Sequence, residues 1–215
     1  MRGVCDKELP VMASHKMKRI RVRRGFLVAL SVCVMLIAAG FTACSGGDTT
    51  APYAGKEVAD LGGYSSMVDY DGESRLVETT VEDVLKYMDE KKSFAVFLGY
   101  EECEYCNAIM PYLNEAARGA DQYVGYIDTR KNPDWQNNSD IDDYDKFVEV
   151  FGEYLTDEDG EPYLYTPDLY FIKDGEIVGH HQGLIEGADD PDKALTGDQE
   201  TALKTILEGN FSEIK

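Results

Sequence analysis

The sequence holds 215 residues, enough for one sizeable core with appendages. Its formal net charge is −20, but eight of its 21 basic residues and only two of its 41 acidic ones fall in residues 1–43. Residues 44–215 therefore carry 13 basic and 39 acidic residues, a net charge of −26, and a surface of that sign repels phosphate backbones, so nucleic acid is not an expected partner.

The basic residues collect at the amino end, where Lys18–Arg24 precede the apolar run Phe26–Phe41. That run is about 16 residues long, short for a spanning helix and right for a signal peptide. An uncleaved membrane anchor is the alternative. Thr42-Ala43-Cys44-Ser45 follows. Ala43-Cys44 in this setting resembles a bacterial lipobox, with Phe41 where that pattern usually carries Leu. The resemblance implies a signal peptide over residues 1–43, lipid on Cys44, and a protein anchored to the bacterial cell membrane on its extracytoplasmic side. Met17 is the better placed start, directly ahead of the basic run. Arg23-Arg24-Gly25-Phe26-Leu27 also resembles a twin-arginine export signal, although the run after it is very apolar. On this reading Cys5 and Cys33 leave with the leader and Cys44 carries lipid. Cys103 and Cys106 remain as thiols, in a compartment where disulfides persist.

Residues 44–75 read as a flexible tether. Ser45–Ser66 is rich in Gly, Ser and Thr with no apolar period, and Met67–Arg75 is polar and turn-like. The folded domain is expected over 76–215. Leu76–Thr79 suits a first strand. Thr80 then caps a helix, with Asp83 three residues on and Val81, Val84, Leu85 and Met88 along its apolar stripe. Ser93–Gly99 contains the short apolar run Phe94–Leu98 of a buried strand.

Directly after that strand stand Cys103 and Cys106, at the start of a helix expected over Glu104–Arg118 with Ile109, Leu113 and Ala117 at helical spacing. A Cys-x-x-Cys at a strand-to-helix junction puts the first sulfur over free helix amides, which stabilise a thiolate. The second sulfur lies one turn on, close enough to close a disulfide. So short a disulfide stabilises a fold little, which favours a bond that opens and closes. A static bridge and half of a zinc knuckle are the alternatives, but zinc needs about four ligands and no second Cys pair exists to complete the set.

Gln122–Ile127 reads as a further strand. Residues 131–165 form a long excursion with a helix over Asp142–Leu155, whose Tyr144, Phe147, Val148, Phe151 and Leu155 share a face, and a turn at Asp157–Glu161. Its acidic runs lack the ligand spacing of a calcium loop and read as solvated. Asp168–Ile172 and Glu176–His180 flank Asp174-Gly175 and predict a hairpin. His180 and His181 point to opposite faces and read as surface or satisfied sheet residues. A last helix is expected to bury Leu195, Ala202, Leu203, Ile206 and Leu207.

The order of elements, with Cys-x-x-Cys opening its helix, resembles the thioredoxin-like superfamily over about Leu76–Gly209. Pro111 lies five residues after Cys106, Thr166-Pro167 stands directly before the hairpin, and Gly183 follows it, each where that family has its counterpart. Within that span Phe94–Asn107 and Tyr126–Thr129 are most similar to the bacteriocin transport accessory proteins. The resemblance implies an α/β fold with a central mixed β-sheet flanked by helices and a helical insertion at 131–165, ahead of a cis proline. It implies that Cys103 is an exposed attacking thiolate and Cys106 the resolving thiol, paired as a Cys103–Cys106 disulfide when oxidised. Thr166, Pro167 and Tyr105 would meet substrate.

There are departures. The family's buried carboxylate position holds Phe97, its Lys partner falls near Val124, and Glu104-Tyr105 separate the two cysteines. The implied function is a membrane-anchored thiol–disulfide oxidoreductase acting on protein or peptide disulfides. It would act as a monomer, with no cofactor or metal and with a membrane electron-transfer partner. Glu101, Glu102 and Glu104 around Cys103 disfavour a thiolate, which predicts a modestly acidic thiol and a reductant or isomerase. The alternative is a non-catalytic or accessory binding module of a peptide or bacteriocin export system, docking through residues 131–165.

Overall fold

The computed structural model describes residues 52–53, 55–67, 73–130 and 142–215, with the side chains of Asp142 and Asp143 left aside. The expected signal segment, Cys44 and the first residues of the expected tether lie outside them. Continuous apolar runs form the central strands of a five-stranded sheet and are buried on both faces, while its edge strand Glu176–Gln182 stays partly exposed. Its strands are β1 (Leu76–Glu78), β2 (Phe94–Gly99), β3 (Val124–Asp128), β6 (Asp168–Lys173) and β7 (Glu176–Gln182). They lie in the order β1-β3-β2-β6-β7. β3 runs parallel to both β1 and β2, whereas β6 is antiparallel to β2 and β7 to β6.

Strand β2 shows how one sequence feeds two cores. Ala95 and Phe97 face one layer, with α2 (Glu104–Ala120) and α4 (Gly197–Glu213), while Phe94, Val96 and Leu98 face the other. That second layer holds Val81 and Val84 of α1 (Val81–Asp89) and Phe147 and Phe151 of α3 (Asp142–Phe151). Thr80 caps α1, its hydroxyl accepting from the Asp83 amide at 3.1 Å. The hairpin turn between β6 and β7 has positive φ at both Asp174 (52°) and Gly175 (81°), the geometry of a two-residue turn between twisted strands.

Three expectations need correction. The tether reading fails over residues 52–53 and 55–67, which pack on the domain as a strap. Glu57 and Ala59 bond to Glu78 and Leu76, each at 2.9 Å, so the strap covers the open edge of β1. Tyr53 drops into the second core and Leu61 and Tyr64 into the first, all at 4 % exposure or less. A fragment starting at residue 63 would lose two of these three side chains. In α4 the buried residues are Leu203, Leu207 and Phe211, and Ala202 and Ile206 face outward. Steps of four keep one face of the helix inward, and 202 and 206 lie one position off that face. The turn at Asp157–Glu161 is the tip of a hairpin of β4 (Thr156–Glu158) and β5 (Glu161–Tyr163), which the acidic sequence did not suggest.

Candidate active site

Strand β2 ends at Gly99, where the chain must leave the sheet close to α2. A Cβ at this position would lie 2.6 Å from the Phe97 ring and 3.0 Å from Cys106 Sγ, so a glycine lets the helix dock. A turn over Tyr100–Glu102 follows, closed by the Cys103 amide donating to the Tyr100 carbonyl at 3.2 Å. Cys103 then takes the N-cap position of α2, with extended backbone (φ −77°, ψ 115°). Its Sγ accepts from the Cys106 amide at 3.2 Å, the bond a capping Ser or Asp oxygen ordinarily makes. Both cysteines are free thiols.

Thr166 closes over the first thiol from the loop ahead of β6. Its hydroxyl lies 3.6 Å from Cys103 Sγ and its carbonyl oxygen also 3.6 Å. A thiol there donates to the carbonyl, and a thiolate accepts from the hydroxyl. Cys103 is consequently 1 % exposed, which corrects the expectation of an exposed thiol. The Thr166–Pro167 peptide bond that aims this carbonyl at the sulfur is cis. The fold is thioredoxin-like.

Comparison with known proteins returned solved structures of this fold. A putative oxidoreductase with a thioredoxin fold is 14 % identical, covering 50 % of this chain and 82 % of that one, with a TM-score of 0.37. Fasciola hepatica thioredoxin is 18 % identical, covering 62 % and 93 %, with a TM-score of 0.35. Oxidised Plasmodium falciparum thioredoxin is 17 % identical, covering 64 % and 97 %, with a TM-score of 0.36. No family model and no curated protein sequence matches the chain.

The two thiols sit in one site but ionise differently. A bond from the Cys106 thiol lowers the pKa of Cys103 most, and the Cys106 amide and the Thr166 hydroxyl add to it. Together they outweigh burial and bring Cys103 down to about 7. Cys106 is fully buried in the first core, and that burial, with the neighbouring Cys103 charge, pushes its thiol well above the ordinary range. One thiol is thus half ionised near neutrality while its partner holds its proton.

The charged rim of the site is less uniform than its sequence. Glu102 lies 3.3 Å from Arg130, whose guanidinium rests 4.0 Å over the Tyr100 ring. Tyr105 is half-buried at the rim and its hydroxyl donates to the Asp189 carbonyl at 2.9 Å, tying α2 to the loop after β7. Beside the helix start lies an open cleft of about 480 Å³, lined among others by Ser65, Glu101, Glu104, Asn107 and Asp192. The structure therefore brings Cys103, Cys106, Thr166 and Pro167 together and sets Tyr105 at their edge.

Sequence reasoning missed two groups. Asn107 bonds to the turn that carries Cys103, and the asparagine directly after the second cysteine was the available signal. On the opposite face of the sheet Asp168 is fully buried, held by His180 Nε2 at 2.6 Å and the Tyr170 hydroxyl at 2.5 Å. Strand register pairs Tyr170 with His180, so the alternation of β6 and β7 could have revealed that pair.

Proposed function

We propose that this protein is a membrane-anchored, extracytoplasmic thiol–disulfide oxidoreductase that reduces or isomerises disulfides of exported proteins or peptides. The supporting observation is the placement of Cys103: an N-cap sulfur on the Cys106 amide, with its ionisation near neutrality, facing Thr166 across a cis proline. The Cys103 thiolate attacks one sulfur of the substrate disulfide, forming a mixed disulfide and releasing the other sulfur as a thiolate. Cys106 then loses its proton and attacks Cys103 Sγ. The Cys103–Cys106 disulfide forms, the second substrate thiolate leaves and is protonated, and two electrons have passed to the substrate. Net reduction calls for a dithiol donor to restore the pair, and isomerisation returns the electrons to the substrate. The backbone of Thr166 and Pro167, with Tyr105 at the rim, would receive the extended substrate segment by strand addition. Lipid on Cys44 would hold the domain at the membrane.

Turnover of a protein disulfide separates the proposal from the binding-module alternative. Cys103→Ser should abolish it, and Cys106→Ser should accumulate substrate covalently attached to Cys103. Parent-like function in Cys103→Ser would leave only a binding role.

A further inference from the structure

Asn107 uses its whole amide group at the base of the attacking thiol. Its Nδ2 donates to the Cys103 carbonyl at 3.0 Å and also to the Glu101 carbonyl, and its Oδ1 accepts from the Ser65 hydroxyl at 3.0 Å. Two carbonyls can be satisfied only by the NH2 end, so this network fixes which way the amide points. The carbonyls of Glu101 and Cys103 bracket Glu102, so a single side chain holds both ends of the last step into the helix. Ser65 comes from the strap, 42 residues away in sequence, and is fixed in place by its neighbour Tyr64. Tyr64 is 1 % exposed and its hydroxyl donates to that of Tyr126 at 3.1 Å.

We propose that Asn107 is a positioning residue for Cys103, and that Ser65 makes the docked strap part of that positioning. The sulfur must stay within 3.2 Å of the Cys106 amide and 3.6 Å of the Thr166 hydroxyl to be held as a thiolate. Without the Asn107 side chain the Glu101 carbonyl is freed and the Cys103 carbonyl keeps only the Asn107 main-chain amide at 2.9 Å, so the turn loosens and the sulfur can drift from both. Distance weakens such bonds steeply, so a small loss of position becomes a loss of acidity. The strap runs on toward the amino terminus, so whatever displaces the strap also reaches the thiol through one amide.

The inference rests on the dithiol reading above, but its test reads the thiol and not turnover. Purified, reduced full-length chain is alkylated with iodoacetamide across a pH series, and modification of Cys103 is followed by peptide mass. Asn107→Leu, of similar size but without the donors, should raise the midpoint by about one unit, a tenfold smaller thiolate fraction below pH 6. Asn107→Gln should recover part of that shift. Ser65→Ala, which removes one exposed hydroxyl, should give a smaller rise with the parent's melting temperature. Asn107→Leu with the parent's midpoint, or with only a lower melting temperature, overturns the proposal. Should that variant fail to fold, Ser65→Ala decides, and an unchanged midpoint there overturns the coupling to the strap. Absent turnover in the parent would instead overturn the oxidoreductase reading and leave this comparison intact.

Discussion

The strap makes the strongest claim on stability, and Tyr53 tests it. The ring is 4 % exposed, meets Tyr87 and Phe94 edge-on at 5.9 and 6.0 Å, and donates its hydroxyl to the Ala95 carbonyl at 2.8 Å. Strand β3 leaves room for it with Gly125, where a Cβ would lie 2.5 Å from the Tyr53 hydroxyl. Truncating a buried aromatic side chain costs about 3–5 kcal/mol, and the buried carbonyl left behind adds about 1 kcal/mol. Taking about 5 kcal/mol in all, Tyr53→Ala should lower the melting temperature by about 10–20 °C for a domain of this size. Tyr53→Phe removes only the hydroxyl and should cost about 1 kcal/mol, or about 2–4 °C. Val58 lies in the same strap but is 48 % exposed, so Val58→Ala should stay within about 0.5 kcal/mol of the parent. Thermal and urea unfolding of the three variants measures the series. A Tyr53→Ala protein melting within about 1 °C of the parent would refute the packed strap and restore the tether.

Other expectations follow from the site and its surroundings. In the reduced protein, alkylation of Cys103 should rise with pH through a midpoint of about 7 and fall away below it, while Cys106, whose thiol holds its proton, should react only at much higher pH; a Cys103 midpoint near the ordinary thiol value of about 8.5 counts against the described hydrogen bonds. Gly99→Ala should destabilise by about 1–3 kcal/mol in urea and slow closure of the Cys103–Cys106 disulfide, because the added methyl meets both the Phe97 ring and Cys106 Sγ. His180→Ala takes one hydrogen-bond partner from the buried Asp168 carboxyl and should cost about 1–3 kcal/mol, whereas His180→Gln, which can still reach that carboxyl, should cost clearly less; equal losses would mean that the bond contributes nothing.

What the sequence made legible was local and periodic. Phe94–Leu98 alternates into both cores, Thr80 and Asp83 sit at capping distance, and Asp174-Gly175 accepts the positive φ of a tight turn. Cys103 and Cys106 stood out by their spacing at a strand-to-helix junction and Thr166-Pro167 by the family resemblance, and the structure brings the four together. What escaped was tertiary in origin. Tyr53, Leu61 and Tyr64 are too sparse among polar and small residues to mark an element, and the strap crosses the edge of the sheet and feeds a different core on each side. Asp168 is simply the first residue of its strand until the fold places His180 beside it. The hairpin of β4 and β5 has no buried position and three exposed acids, Asp157, Glu158 and Glu161, so no apolar alternation announced it.

The acidity of Cys103 shows which forces govern this site. Three glutamates within three residues of the thiol argue for a raised pKa, and the net charge of −26 over residues 44–215 pushes the same way. The glutamates act largely through water, where the attraction or repulsion of two charges at 4 Å is only about 1 kcal/mol and salt weakens it further. Glu104 is exposed, and Glu102 has its own cation in Arg130. The bonds from the Cys106 thiol and amide and from the Thr166 hydroxyl act inside a buried site, where each is stronger. They win, but burial and the withheld proton of Cys106 limit the gain, and the thiol stops at about 7. Thiols of strongly oxidising dithiol proteins reach about 3.5, far below this one, so the reduced form here lacks most of the stabilisation that makes such proteins oxidants. A reduced form held so lightly gives its electrons away readily. That is the physical ground for proposing a reductant or isomerase rather than an oxidant.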